Sequence, residues 1–270
     1  MRRLSPGLLV GMAVAASALA TAASAADMPV PAAPAYTPPA YRPVIYDWTG
    51  IYIGAHVGGA WMNDVVTTTT TTILQPAGTA TKVDPMGVAG GVQAGVNFQF
   101  SPIVVGFEGT WTWTSLTGTQ ITPSPLAGAF SQSSTSAAPY LATAAGRIGF
   151  AANDFLFYAK GGGAWMRVDY TQAVAAGPVF SLQTLNDNRS GYVVGVGGEF
   201  GMTENLSAKL EYDYLGFGTK TYTFANLSAP VGGINTPFAL PVSWKSSLQM
   251  VTVGMNYRFN WGGGGPVVTR

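Results

Sequence analysis

Eight charged side chains fall on alternate positions of runs that are otherwise apolar or small: Glu108, Arg147, Lys160, Glu199, Lys209, Glu211, Asp213 and Arg258. Four are acidic and four are basic. Charges gathered on one face can line a selective aqueous pore, or they can neutralise one another as a buried network. A buried unpaired charge is costly, and their balance points to pairing. His56 is the only histidine. A metal or haem site needs further ligands, and none is evident, so His56 reads as a hydrogen-bonded interior side chain. A hydrolase would need a nucleophile beside a base. The serines cluster away from His56, and the Gly-x-Ser-x-Gly elbow does not occur. The glycines between Gly87 and Gly95 do not open a helix, which excludes a nucleotide fingerprint. No enzyme activity, metal site or cofactor is expected.

The elements that must position these charges follow from composition. Charged residues are 9 % of the chain and hydrophobic ones 47 %. No interior run reaches the roughly 18 apolar residues of a membrane helix. Apolar content is instead broken into alternating pieces, the form taken by strands that face lipid on one side. A net charge of +1 suggests no nucleic-acid partner, and the absence of cysteine rules out disulfides and thiolate sites. Arg2 and Arg3, the apolar run Leu8 to Ala20, and Ala23-Ser24-Ala25 read as a secretory signal over residues 1–25. Residues 26–47 hold Pro29, Pro31, Pro34, Pro38, Pro39 and Pro43 and read as an extended linker.

From Trp48 a period of two returns until Phe259. Met86 to Phe100 is the clearest case, with Met86, Val88, Val92, Val96, Phe98 and Phe100 on one parity and Gln93, Asn97 and Gln99 on the other. Its length exceeds the roughly five or six residues of a soluble strand and meets the roughly nine to eleven of a membrane strand. The other segments are Trp48 to Trp61, Ile103 to Trp113, Tyr140 to Phe150, Phe155 to Trp165, Tyr192 to Phe200, Leu206 to Tyr214 and Val251 to Phe259. The spacing predicts short turns at Ser101-Pro102, Ala151 to Asp154 and Gly201 to Asn205, alternating with links of about 20 to 30 residues. Such alternation predicts an all-β, eight-stranded antiparallel up-and-down transmembrane β-barrel over 48–261, with a Gly-rich tail at 262–270. An even strand count puts both termini in the periplasm. The long links become surface loops, although the threonine run Thr67 to Thr72 can prolong strands. Phenylalanines near the short turns and Trp61, Trp111, Trp113 and Trp165 near the long links form two aromatic girdles.

Trp48-Thr49-Gly50-Ile51-Tyr52-Ile53-Gly54, Gly106-Phe107-Glu108-Gly109, Gly146-Arg147-Ile148-Gly149, Leu210-Glu211-Tyr212-Asp213-Tyr214 and Val253-Gly254-Met255-Asn256-Tyr257-Arg258-Phe259 follow in order. With them the chain resembles the small outer-membrane β-barrel proteins of alphaproteobacteria known as outer-membrane immunogenic proteins. The resemblance implies an abundant outer-membrane barrel without enzymatic activity, some members of which act as porins or bind haem. Gly254, Tyr257 and Phe259 are similar to the last-strand signal read by the barrel assembly machinery, although Phe259 is not terminal.

An eight-stranded barrel is just wide enough for side chains to fill it. The expectation is therefore a structural barrel exposing four long loops, with its interior closed by paired charges. Inward glycines at 54, 58, 91 and 95 would make room for the long cations. The alternatives are a small porin passing ions or small solutes, or a haem-binding or adhesive surface barrel. Partners would be outer-membrane lipid, the assembly machinery, and host or extracellular ligands at the loops.

Overall fold

A strand whose two faces differ in polarity separates two media, and within a bilayer both of its edges must also be paired. The computed structural model describes residues 46–72, 74–124, 131–176, 179–231 and 234–259. The expected signal at 1–25, the prolines of the linker and the tail at 262–270 lie outside the described residues. The strands are β1 (Gly50–Thr68), β2 (Ala80–Val83), β3 (Met86–Phe100), β4 (Ile103–Pro123), β5 (Ser131–Ala152), β6 (Phe155–Ala176), β7 (Val179–Gly201), β8 (Leu206–Val231) and β9 (Ile234–Phe259). Each pairs antiparallel with its neighbours in the order β2-β1-β3-β4-β5-β6-β7-β8-β9, and β1 also pairs with β9 to close the ring.

β2 does not add a ninth stave. Its register on β1, Asp64 opposite Val83, continues that of β3, Trp61 opposite Met86. Asp84-Pro85 interrupts one stave because Pro85 has no N–H to give the ladder. The Pro85 carbonyl still accepts from the Met62 amide at 2.8 Å. The ring therefore has the eight staves that the periodicity predicts.

The strands run far beyond the expected boundaries at one end. β4 continues to Pro123 rather than Trp113, β5 starts at Ser131 rather than Tyr140, and β9 starts at Ile234 rather than Val251. The links expected as long loops are mostly strand. Their threonines and serines favour the pleated conformation and join neighbours by hydroxyl pairs, as in Thr119···Thr135 at 2.8 Å and Thr171···Thr184 at 2.9 Å.

The short-turn half carries an apolar outer band. Val57, Phe107 and Val253 are each more than half exposed on it. Phe155, Phe157 and Phe200 stack along its lower margin, with centroids 4.8 and 6.3 Å apart, and Trp111 stacks on Tyr140 at 5.3 Å along the upper one. Beyond that upper margin the polarity of the wall inverts. Large apolar residues now point inward, with Met62, Val66, Leu116, Val168, Phe224, Leu240, Val242, Trp244 and Leu248 forming one buried core beside the buried polar side chains of Gln132, Ser134 and Gln172.

The ring also splits there. The β3–β4 ladder ends at Met86–Thr117 and the β7–β8 ladder at Tyr192–Gly216, while the other ladders continue. Among the described residues, the extension is thus two four-stranded sheets, β8-β9-β1-β2 and β4-β5-β6-β7, packed face to face across the core. A closed barrel continues into a sandwich, each with the interior its surroundings demand.

Candidate functional site

Three layers of buried side chains follow one another along the interior, drawn from inward positions of the strands and from the segment that enters before β1. The lowest sits at the short-turn mouth. The chain enters through Tyr46 and Trp48, both buried, which pack on Val104, Leu156 and Tyr158. The Trp48 amide donates to Gln99 Oε1 at 2.8 Å, which pins the entering segment to β3. Arg258 belongs to this layer. Its guanidinium lies 4.0 Å from the Tyr46 ring centroid and 5.9 Å from that of Trp48, and it donates to the Glu204 carbonyl at 2.8 Å.

The middle layer gathers the other seven predicted charges, all buried. Glu108 from β4 is the hub. Arg147 lies 3.6 Å from it, Lys209 3.4 Å and Lys160 3.9 Å. Lys160 also meets Glu211 at 2.7 Å and Asp213 at 2.9 Å, Lys209 meets Glu211 at 3.5 Å, and Arg147 meets Glu199 at 3.5 Å. Phenols and amides complete the shell. Tyr52 donates to Glu108 at 2.8 Å, Tyr158 to Glu211 at 2.6 Å, and Asn256 to Glu199 at 2.8 Å, while Arg147 Nε donates to Asn97 at 2.8 Å. Arg147 is further sandwiched between the Tyr52 and Tyr158 rings, at 4.7 and 5.0 Å. Such charge-assisted bonds and ring contacts are what make a buried ion network tolerable.

Two expectations change. Arg258 packs in the mouth layer on Tyr46 and Trp48 and senses the network through the charge of Glu199, while the ion pairs given above join the other seven. The named glycines also serve other neighbours. A Cβ at Gly54 would meet Asn256, at Gly95 the Tyr52 hydroxyl, at Gly91 the Trp111 carbonyl, and at Gly58 the Val251 carbonyl. The glycines beside the long cations include Gly195, whose Cβ would lie 3.1 Å from Lys160 Cε, Gly254, whose Cβ would lie 3.3 Å from Lys209 Cγ, and Gly50, whose Cβ would lie 3.1 Å from Arg258 Cγ. Gly254 is also the glycine of the last-strand motif, and Tyr257 and Phe259 lie half exposed on the outer face of β9. His56 sits at the top of this layer with both ring nitrogens engaged, Nδ1 with Gln93 Oε1 at 2.7 Å and Nε2 with Thr112 Oγ1 at 2.9 Å.

The third layer is the apolar core of the extension, and it hides two charges that sequence reasoning did not single out. Arg189 on β7 is buried and donates to the Phe217 and Gly218 carbonyls at 2.9 and 2.8 Å, the Tyr170 hydroxyl at 3.0 Å, and Trp244 O and Ser246 Oγ at 3.3 Å each. Asp64 on β1 is wholly buried, and both of its carboxylate oxygens lack a hydrogen-bond donor. It lies three residues beyond Trp61, outside the apolar band. Burial pushes its carboxyl up to about 6, against the opposing effect of the nearby Ser136 and Ser246 hydroxyls and Arg189. The signal for both was their inward parity, which becomes visible only when β1 and β7 are followed past the girdle. Among the described residues, no group of three or more metal-ligating side chains comes together.

Comparison with known proteins places this geometry in a family. The family model for the OmpA-like transmembrane domain matches residues 47–263. The 31 kDa outer-membrane immunogenic protein of Brucella melitensis is 30 % identical over 259 residues, covering 92 % of this chain and 98 % of its own. The 25 kDa outer-membrane immunogenic protein of Brucella abortus is 26 % identical over 266 residues, covering 96 % and 100 %. Among solved structures, the outer-membrane protein OprG of Pseudomonas aeruginosa is 14 % identical with a TM-score of 0.46, covering 80 % of this chain and 100 % of its own. The outer-membrane protease OmpT of Escherichia coli is 9 % identical with a TM-score of 0.46, covering 78 % and 97 %.

Proposed function

The chain belongs to the OmpA-like transmembrane family and is an outer-membrane β-barrel, and we propose that it is a structural, surface-exposed barrel that does not conduct. The observation that carries this reading is the succession of buried side chains along the interior. The Tyr46–Trp48 stopper, the seven-charge network and the apolar core follow one another along the axis. A conducting path needs a continuous column of water, and in this reading each of these layers displaces it by a different means. The extended half faces the outside in this reading, so its four strand connections form the contact surface for extracellular ligands. Both termini then lie in the periplasm, and Gly254, Tyr257 and Phe259 present the last strand to the assembly machinery.

Planar-bilayer recording of the refolded chain tests the reading. The expected record is a flat baseline at all voltages the bilayer withstands. Defined, reproducible conductance steps would overturn it in favour of a small porin. A haem titration separates the remaining alternative. His56 would have to surrender one of its two hydrogen bonds to ligate iron, so no His56-dependent spectral change is expected.

A further inference from the structure

Above Tyr192–Gly216 the edges of β7 and β8 run side by side without a backbone ladder, and side chains tie them instead. Arg189 on β7 holds the Phe217 and Gly218 carbonyls of β8 at 2.9 and 2.8 Å. Asp187 pairs with Lys220 at 2.7 Å and accepts from Tyr222, and the Ser228 amide donates to Ser181 Oγ at 3.2 Å. Of these ties, Arg189 alone is buried, and it reaches the seam from the core. Its other nitrogen donates to Ser246 Oγ at 3.3 Å, and Ser246 is the register partner of Asp64. Inward side chains opposite each other on paired strands lie about 5 Å apart at Cβ. The donor-poor carboxylate is therefore one hydroxyl away from the guanidinium that closes the seam.

We propose that Asp64 and Arg189 form a proton-operated latch on the seam between β7 and β8. With Asp64 protonated, Asp187 is the ionised carboxylate that attracts Arg189, it lies on the seam itself beside Tyr222, and the guanidinium stays on the Phe217 and Gly218 carbonyls. When Asp64 releases its proton to solvent, the bare carboxylate draws the guanidinium past Ser246. The two carbonyls lose their donor, and the upper edges of β7 and β8 part. The raised Asp64 pKa, about 6, puts the change within the range an envelope protein meets. The groups facing Asp64 are few. Arg189 comes from β7, Tyr170 from β6, the Ser136 hydroxyl from β5 and the Ser246 hydroxyl from β9, with Asp84 at the β2–β3 junction as the other carboxylate. On β4 the register partner of Ser136 is Gly118, and the inward residue before it, Leu116, is apolar. Asp187 does not share the switch, because Lys220 and Tyr222 overcome its burial and hold its carboxyl below the usual range. The exposed tie therefore persists while the buried one changes.

The chain has no cysteine, so spin labels can be placed at will. Asn188→Cys and Thr221→Cys, both exposed, put labels on the outer face of β7 and β8. Pulsed EPR distances on the full refolded chain, at about pH 5 and about pH 8, read the seam directly. The labelled protein is expected to show a short, narrow distance at the lower pH and a longer, broader one at the higher. Asp64→Asn keeps the narrow distance at both, and Arg189→Met is broad at both. A pH response that survives in Asp64→Asn overturns the latch, as does its absence from the parent or a narrow distance in Arg189→Met. Amide exchange over Phe217 to Phe224 in the unsubstituted chain gives a reading that needs no variant. Protection there is expected to fall between the two pH values after correction for intrinsic rates, and equal protection overturns the proposal.

Discussion

Replacing Lys160 by methionine should be among the most damaging single changes in the barrel. Its ammonium lies 2.7 Å from Glu211, 2.9 Å from Asp213 and 3.9 Å from Glu108, and all four side chains are buried. Lys160→Met keeps the volume and leaves four carboxylates facing Arg147 and Lys209. Breaking a buried pair by removing one partner costs about 3–5 kcal/mol, because a charge is left uncompensated. Two carboxylates lose their nearest cation at once, so the upper part of that range applies. Methionine is not the cause of the loss, and Lys160→Met with Glu211→Gln and Asp213→Asn tests this. That triple variant retains two cations and two carboxylates, and it should return to within about 2 kcal/mol of the parent, as neutral replacements of whole buried clusters do. Equilibrium urea unfolding in phospholipid vesicles, followed by tryptophan fluorescence, measures both. The reasoning fails if the single variant lies within about 1 kcal/mol of the parent, or if the triple variant is no more stable than the single.

Other outcomes follow from the same structure. Asp64 has a folded pKa of about 6 against an ordinary 3.8, so the folded state holds its proton more tightly than the unfolded one. The sequestered acid is tolerated below about pH 4, and stability is lost as pH rises through about 6. Asp64→Asn should therefore stabilise the extension by up to about 3 kcal/mol at neutral pH and by little near pH 4, read from amide exchange of the extension. Trp48→Ala empties a wholly buried site at the short-turn mouth and should cost about 3–5 kcal/mol in the urea assay. The two kinds of glycine should separate cleanly in a heat-modifiability assay on SDS gels. A Cβ at outward Gly146 meets nothing within 4 Å, so Gly146→Val should fold, whereas Gly91→Val drives into the Trp111 carbonyl and His56 and should not.

The apolar band was legible because one rule governs most of it, apolar out and polar or small in, with Val104 and Leu156 at the mouth as exceptions. The extension was not, because the rule reverses without any break in the strand. On β9 the outward series Phe259, Tyr257, Met255, Val253, Val251 passes into Gln249, Ser247, Lys245 and Ser243. The inward series Arg258, Asn256, Thr252 passes into Met250, Leu248, Trp244 and Val242. Parity is unchanged, and only the medium outside differs. A reading that follows one apolar face loses phase at residue 250 and sees a polar loop. The charge network was legible for the same reason as the band, since inward parity selects its members. Parity carries no height, however. Lys209 faces Gly254 across the β8–β9 ladder, so Arg258 lies four residues nearer the mouth and packs on Tyr46. The phenols of Tyr52 and Tyr158 were equally hidden, because a partner across the lumen depends on the closure of the ring rather than on spacing along one strand.

Strand length connects these halves. β9 has 26 residues, about 88 Å along the strand, and a membrane crossing consumes only about nine to eleven of them. The remainder stands in water, where an open ring of strands with a polar lumen would be two exposed edges around a wet hole. Apolar inward residues remove the hole by drawing the two sheets together, and the ladders give way at β3–β4 and β7–β8 where the ring flattens. Within the bilayer the opposite solution is required, because a broken ladder would leave backbone groups facing lipid. The ring must stay closed there, so its lumen keeps a fixed width that apolar side chains need not fill and a charge network can. The positions of the unpaired seams, the apolar core and the buried ions are thus consequences of a single boundary, the level at which lipid outside gives way to water.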